Sequence, residues 1–99
     1  MRLSQEQRKA IRGVVREIAG DDAMVLLFGS RVDDRQRGGD VDLLVQLPHD
    51  VDDAAWLAAQ LAAGISRIMD GRKVDVLISA PNLAVFPIHE QARKTGVVL

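Results

Sequence analysis

Met24-Val25-Leu26-Leu27-Phe28, followed by Gly29-Ser30, is the stretch on which the fold turns. Five consecutive apolar residues closed by a glycine are too few for a buried helix. They suit a strand covered on both faces, in which inward and outward side chains alike must be apolar. A second strand is expected at Asp40-Val41-Asp42-Leu43-Leu44-Val45, before Pro48, and a third at Lys73-Val74-Asp75-Val76-Leu77-Ile78. Between the first two, Arg31 to Gly39 is polar, alternates in charge sign and ends in Gly38-Gly39, so it reads as a loop or a single helical turn.

The flanking segments read as helices. Residues 4–19 place Ala10, Ile11, Val14, Val15 and Ile18 on one face. Ser4 and Gln7 are spaced as a capping box, and Gly20 is a natural stop. The opposite face carries Arg8, Lys9, Arg12 and Arg16, expected to be solvated. A second helix is predicted over about 53–69, capped by Asp52 or Asp53, with Trp56, Leu57, Leu61, Ile65, Ile68 and Met69 inward. Pro81-Asn82 predicts a turn and about 83–95 a last helix, ended by Gly96 before Val97-Val98-Leu99. The order α-β-loop-β-α-β-α-β describes an α/β (α+β) domain, a small mixed sheet packed by helices.

Composition narrows the function. Ninety-nine residues predict one domain spanning 1–99. Thirteen basic against 14 acidic residues leave a charge of −1, with no overall pull toward nucleic acid or an anionic membrane. The absence of cysteine excludes disulfides, thiolate-bound zinc and thiol catalysis, and it suits a cytoplasmic setting. Apolar runs fall far short of the ~18 residues of a spanning helix, and the charged start predicts no export signal.

The chemistry lies in the carboxylates. Side chains at i and i+2 leave a strand on one face, so Asp40 and Asp42 point the same way. At ~4 Å and an effective dielectric near 20, two such charges repel by roughly 4 kcal/mol, which a cation between them relieves. Oxygen-only donors suit a hard divalent ion such as Mg²⁺. Asp75 interrupts the third apolar run, and in a small sheet that strand can neighbour the second. Gly29-Ser30 after a strand allows close approach of a phosphate to backbone amides and a hydroxyl, with Arg31 adding positive charge. The common G-x-G-x-x-G and P-loop patterns are both missing.

Gly29-Ser30-Arg31, nine residues, Asp40-Val41-Asp42-Leu43-Leu44-Val45 and the later Asp75 together resemble the nucleotidyltransferases of the DNA polymerase β superfamily. Within it, the chain is most similar to the minimal nucleotidyltransferases (MNT), antitoxin-like partners of HEPN-domain proteins. Ile88 to Leu99 also resembles that family's last helix and strand. The resemblance implies that Gly29, Ser30 and Arg31 bind the phosphates of ATP or another nucleoside triphosphate. It implies that Asp40, Asp42 and Asp75 hold Mg²⁺ in a two-metal site and are catalytic, with Asp75 assisting the acceptor hydroxyl. The expected reaction is transfer of AMP to a hydroxyl of a HEPN-domain partner, with the chain as antitoxin in a homo- or hetero-oligomer. The rival expectations are a non-catalytic nucleotide-binding antitoxin acting by surface contact, or transfer to a small molecule or RNA at an acceptor site on another chain. The chain departs from the family pattern in a Ser30–Asp40 spacing one residue shorter than is common. It also has Asp33-Asp34 in that loop and Gly39 before Asp40.

His49 and His89 are expected to be ordinary surface histidines. Trp56, Phe28 and Phe86 are expected in the core, Ser66 and Ser79 lack a partner histidine, and Arg35 and Arg37 are expected in solvent.

Overall fold

The computed structural model describes residues 3–29 and 41–99. It contains α1 (Gln5–Ala19), β1 (Met24–Phe28), β2 (Val41–Gln46), α2 (Ala54–Ile68), β3 (Val74–Ser79), α3 (Pro87–Thr95) and β4 (Val97–Val98). The strands form one mixed sheet in the order β3-β2-β1-β4. β1 is antiparallel to both β2 and β4, whereas β2 and β3 run parallel, joined across α2.

Alternation along the strands creates two unequal cores. Val25 and Leu27 of β1, Val41, Leu43 and Val45 of β2, and Val74 and Ile78 of β3 face α1 and α2 in the larger one. There they meet Ile11, Val15, Leu61 and Ile65. At Gly64 the two helices come together so closely that an added Cβ would lie 3.0 Å from Val14 Cγ1. The opposite face buries Leu26, Phe28 and Leu44 against Ala92 of α3, with Leu77 at the margin. Residues 25–28 of β1 are thus buried on both faces, as the apolar run at 24–28 suggests, while Met24 at the start of the strand stays exposed.

The termini of the elements follow local chemistry. The Ser4 hydroxyl accepts from the Gln7 N–H at 3.0 Å, and Gln7 Oε1 accepts from the Ser4 N–H at 2.8 Å, the expected capping box. Asp53 caps α2 by accepting from the Trp56 N–H at 3.0 Å. Asn82 clamps the turn before α3 to the loop before α2. It accepts from the Val51 N–H at 2.9 Å and donates to the Val51 carbonyl at 2.8 Å.

Five expectations need correction. The last helix starts at Pro87, not near residue 83. Phe86, preceding a proline, is extended at φ −105° and ψ 162°, and Pro87 supplies a first-turn residue that needs no N–H partner. Trp56 does not face inward: it is 62% exposed, and Ile68 is also exposed, because the inward stripe of α2 is narrower than the apolar spacing suggested. Phe86 lies 59% exposed rather than in the core. His89 is 7% exposed and no surface residue. Its Nδ1 accepts from the Phe86 N–H at 3.1 Å, which leaves the proton on Nε2, facing the Ile78 carbonyl at 3.2 Å. It substitutes for a capping side chain at a helix start that has none. Arg12, expected in solvent, donates to the Leu99 carbonyl at 3.1 Å.

Candidate active site

The pairing register decides where the carboxylates stand. Asp42 of β2 and Asp75 of β3 are direct partners in the parallel ladder. Adjacent strands lie ~4.8 Å apart and partnered side chains share a face, so the two carboxylates stand side by side on the α3 face. Phe28 is the antiparallel partner of Asp42, which brings the end of β1, and Gly29 after it, beside the same group.

Gly29 fits that place through two properties. Its φ is +84°, a left-handed conformation that residues with a Cβ rarely adopt. A Cβ on Gly29 would also lie 2.6 Å from Asp42 Oδ2, closer than such contacts allow. The chain therefore turns away from β1 directly against the Asp42 carboxylate, with only backbone between them. The neighbouring amide chain can approach whatever that carboxylate holds.

These residues line one cavity of about 380 Å³. Its sheet side is Phe28, Gly29, Asp42, Asp75 and Leu77, and its helix side is Ile88, Gln91 and Thr95. One end is acidic and the other apolar. Ile88, Gln91 and Thr95 recur at i, i+3 and i+7, so one stripe of α3 forms the wall. Sequence reasoning missed these three; the signal was a helical stripe of mixed polarity that is not used for the core. Asp75 is exposed on the edge strand, open to incoming solutes, while Asp42 is half-buried one strand further in.

Of the six residues expected at the site, Gly29, Asp42 and Asp75 come together. Ser30, Arg31 and Asp40 lie outside the described residues, as do Arg35 and Arg37. Among the described residues no group of three or more His, Cys, Asp or Glu side chains gathers as a metal cage. The pair Asp42 and Asp75 offers only oxygen donors, which fits a hard divalent cation completed by substrate oxygens and not a thiolate or imidazole metal. Among the described residues, no helix is long and apolar enough to cross a membrane.

Comparison with known proteins agrees with this layout. A family model described as the nucleotidyltransferase domain matches residues 8–95. A chain in the crystal structure of a toxin–antitoxin with AMP-PNP superposes with a TM-score of 0.68 at 20% identity, over 92% of this chain and 70% of that one. One in the complex of tri-AMPylated Shewanella oneidensis HEPN toxin with MNT antitoxin gives 0.66 at 20% identity, over 97% and 71%. The MntA–HepT toxin–antitoxin gives 0.65 at 19% identity, over 96% and 70%. No curated protein matches the sequence. At such identities the structural likeness speaks for the fold, and the family model carries the assignment. With 8–95 matched, the chain belongs to the nucleotidyltransferase domain family.

Proposed function

We propose that this chain is a Mg²⁺-dependent nucleotidyltransferase that moves AMP from ATP to a hydroxyl of a HEPN-domain partner protein, as the antitoxin of such a pair. The observation that carries the reading is the register pairing of Asp42 with Asp75, with Gly29 packed against Asp42. The similar complexes with AMP-PNP and with an AMPylated HEPN toxin support the choice of nucleotide and acceptor. The setting is the cytoplasm, and residues 1–99 act as one nucleotidyltransferase domain.

Asp42 and Asp75, with Asp40 beside them in sequence, would hold the metal. When bound, Mg²⁺ would neutralise triphosphate charge and lower the pKa of the attacking hydroxyl. Gly29 gives the triphosphate close access to backbone amides, while Ser30 and Arg31 steady the leaving group. Asp75, on the open edge strand, takes up the proton of the acceptor hydroxyl. The acceptor oxygen bonds to the α-phosphorus, the bond from that phosphorus to the bridging oxygen breaks, and pyrophosphate leaves with the electron pair.

Incubation with α-labelled ATP, Mg²⁺ and the HEPN-domain partner tests the proposal. Label should move to the partner, and Asp42→Asn should abolish the transfer. A partner left unlabelled by the wild-type chain would refute it.

A further inference from the structure

The parallel ladder fixes which backbone groups of β3 point away from the sheet. The Val41 N–H donates to the Lys73 carbonyl at 3.0 Å and the Leu47 N–H to the Ser79 carbonyl at 2.8 Å. Odd-numbered residues of β3 therefore turn their peptide groups toward β2, and even-numbered ones turn outward. β3 is an edge strand. Ile78 has its outward carbonyl engaged by His89 Nε2. Val76, two residues earlier, presents both N–H and C=O to the outside, and among the described residues neither group is hydrogen-bonded.

A second cavity of about 310 Å³ runs along this edge. Its walls include Ala55 and Ala58 of α2 on one side and Leu83 and Phe86 on the other, with Val76 and Leu77 at its base. Leu77 also lines the catalytic cavity, so the edge groove and the acidic site are continuous through one side chain. The groove combines small residues, apolar flanks and one free β-bridge, the features that accept a single extended polypeptide segment.

We infer that the acceptor protein docks here as a short extra strand, its backbone bridging to Val76. The inference rests on the function proposed above and names how its acceptor is presented. Strand periodicity then selects the modified residue. If partner residue j bridges Val76, its neighbours on either side stand opposite Asp75 and Leu77 and project toward the α3 face. The residue opposite Asp75 directs its hydroxyl at that carboxylate. The residue opposite Leu77 meets Leu77 and Ile88 and is therefore apolar. The acceptor motif is an apolar residue and a hydroxyl residue separated by one position, on an extended or extendable segment.

The test uses the full chain with the HEPN-domain partner, ATP and Mg²⁺, with hydrolysis of ATP to AMP and pyrophosphate as the basal activity. Ala55→Arg fills the groove from an exposed position. Val76→Pro removes the outward N–H at a place where the sheet loses no ladder bond, since edge strands tolerate proline there. Both should raise KM for the partner by about tenfold or more and leave basal hydrolysis within about twofold, with Tm confirming folding. Trp56→Asp, exposed on α2 but outside this groove, should change neither value. An unchanged KM in both groove variants, or a rise confined to Trp56→Asp, overturns the docking mode alone. So does sedimentation in which the chain self-associates until Ala55→Arg disperses it, which gives the edge to a second copy. Absence of transfer by the wild-type chain overturns the docking mode and the proposed function together.

Discussion

Replacing Gly29 with alanine separates two constraints that the structure imposes on one position. The first is conformational: at φ +84° a residue with a Cβ is strained by ~1–2 kcal/mol. The second is steric. The new Cβ would sit 2.6 Å from Asp42 Oδ2, and relieving that contact requires the carboxylate or the turn to move, a displacement that costs ~1–3 kcal/mol in packed surroundings. Gly29→Ala should therefore destabilise the chain by about 3 kcal/mol, a fall in Tm on the order of 10–25 °C for a domain this size. In an Asp42→Ala background only the conformational part remains, so the same substitution should cost about 1–3 kcal/mol less. Urea denaturation of the wild-type chain, both single variants and the double variant gives this coupling directly. Equal costs in the two backgrounds would refute the close contact between Gly29 and Asp42, and with it the reason for glycine at the mouth of the site.

Three further outcomes follow. Asn82→Ala removes both bonds to the Val51 backbone and leaves that part-buried N–H and C=O unpaired, so stability should fall by about 2 kcal/mol on thermal unfolding. Ser4→Ala should cost about 1 kcal/mol by undoing the capping box, with no change in nucleotidyl transfer. His89→Ala should lower Tm and weaken nucleotide affinity, because the first turn of α3, which carries Ile88, loses its tie to β3. His89→Gln, with one acceptor and one donor in the side chain, should restore much of both.

Much of this layout is legible in the chain itself, because the deciding signals are local. The run at 24–28 can be buried on both sides only in a covered sheet, and Ser4 with Gln7 names a helix start from spacing alone. Asp42 and Asp75 stand out because each interrupts an otherwise apolar strand run. Their pairing is not local: it depends on β3 adding in parallel beside β2 in one register, which no short window encodes. The same limit explains the misplaced residues. Trp56 fits a helical apolar stripe, yet it stands at the exposed margin of α2, where with Ile18, Ala59 and Ala63 it lines an open surface cavity. His89 looks like a surface histidine until Pro87 shifts the helix start and leaves the Phe86 N–H without a partner that its ring then supplies. The cavity wall at Ile88, Gln91 and Thr95 was hidden because its residue types are ordinary; only the packing of α3 over β1 and β2 gives them a role.

The central claim is that two carboxylates paired across β2 and β3, with Gly29 beside them, hold a metal-bound nucleoside triphosphate. Calorimetric titration of a non-hydrolysable ATP analogue, with and without Mg²⁺, into the wild-type chain, Asp42→Asn and Asp75→Asn tests it most directly. The account predicts binding by the wild-type chain that requires Mg²⁺ and weakens by about tenfold or more in either variant. Binding of equal strength without Mg²⁺, or in both variants, would contradict it.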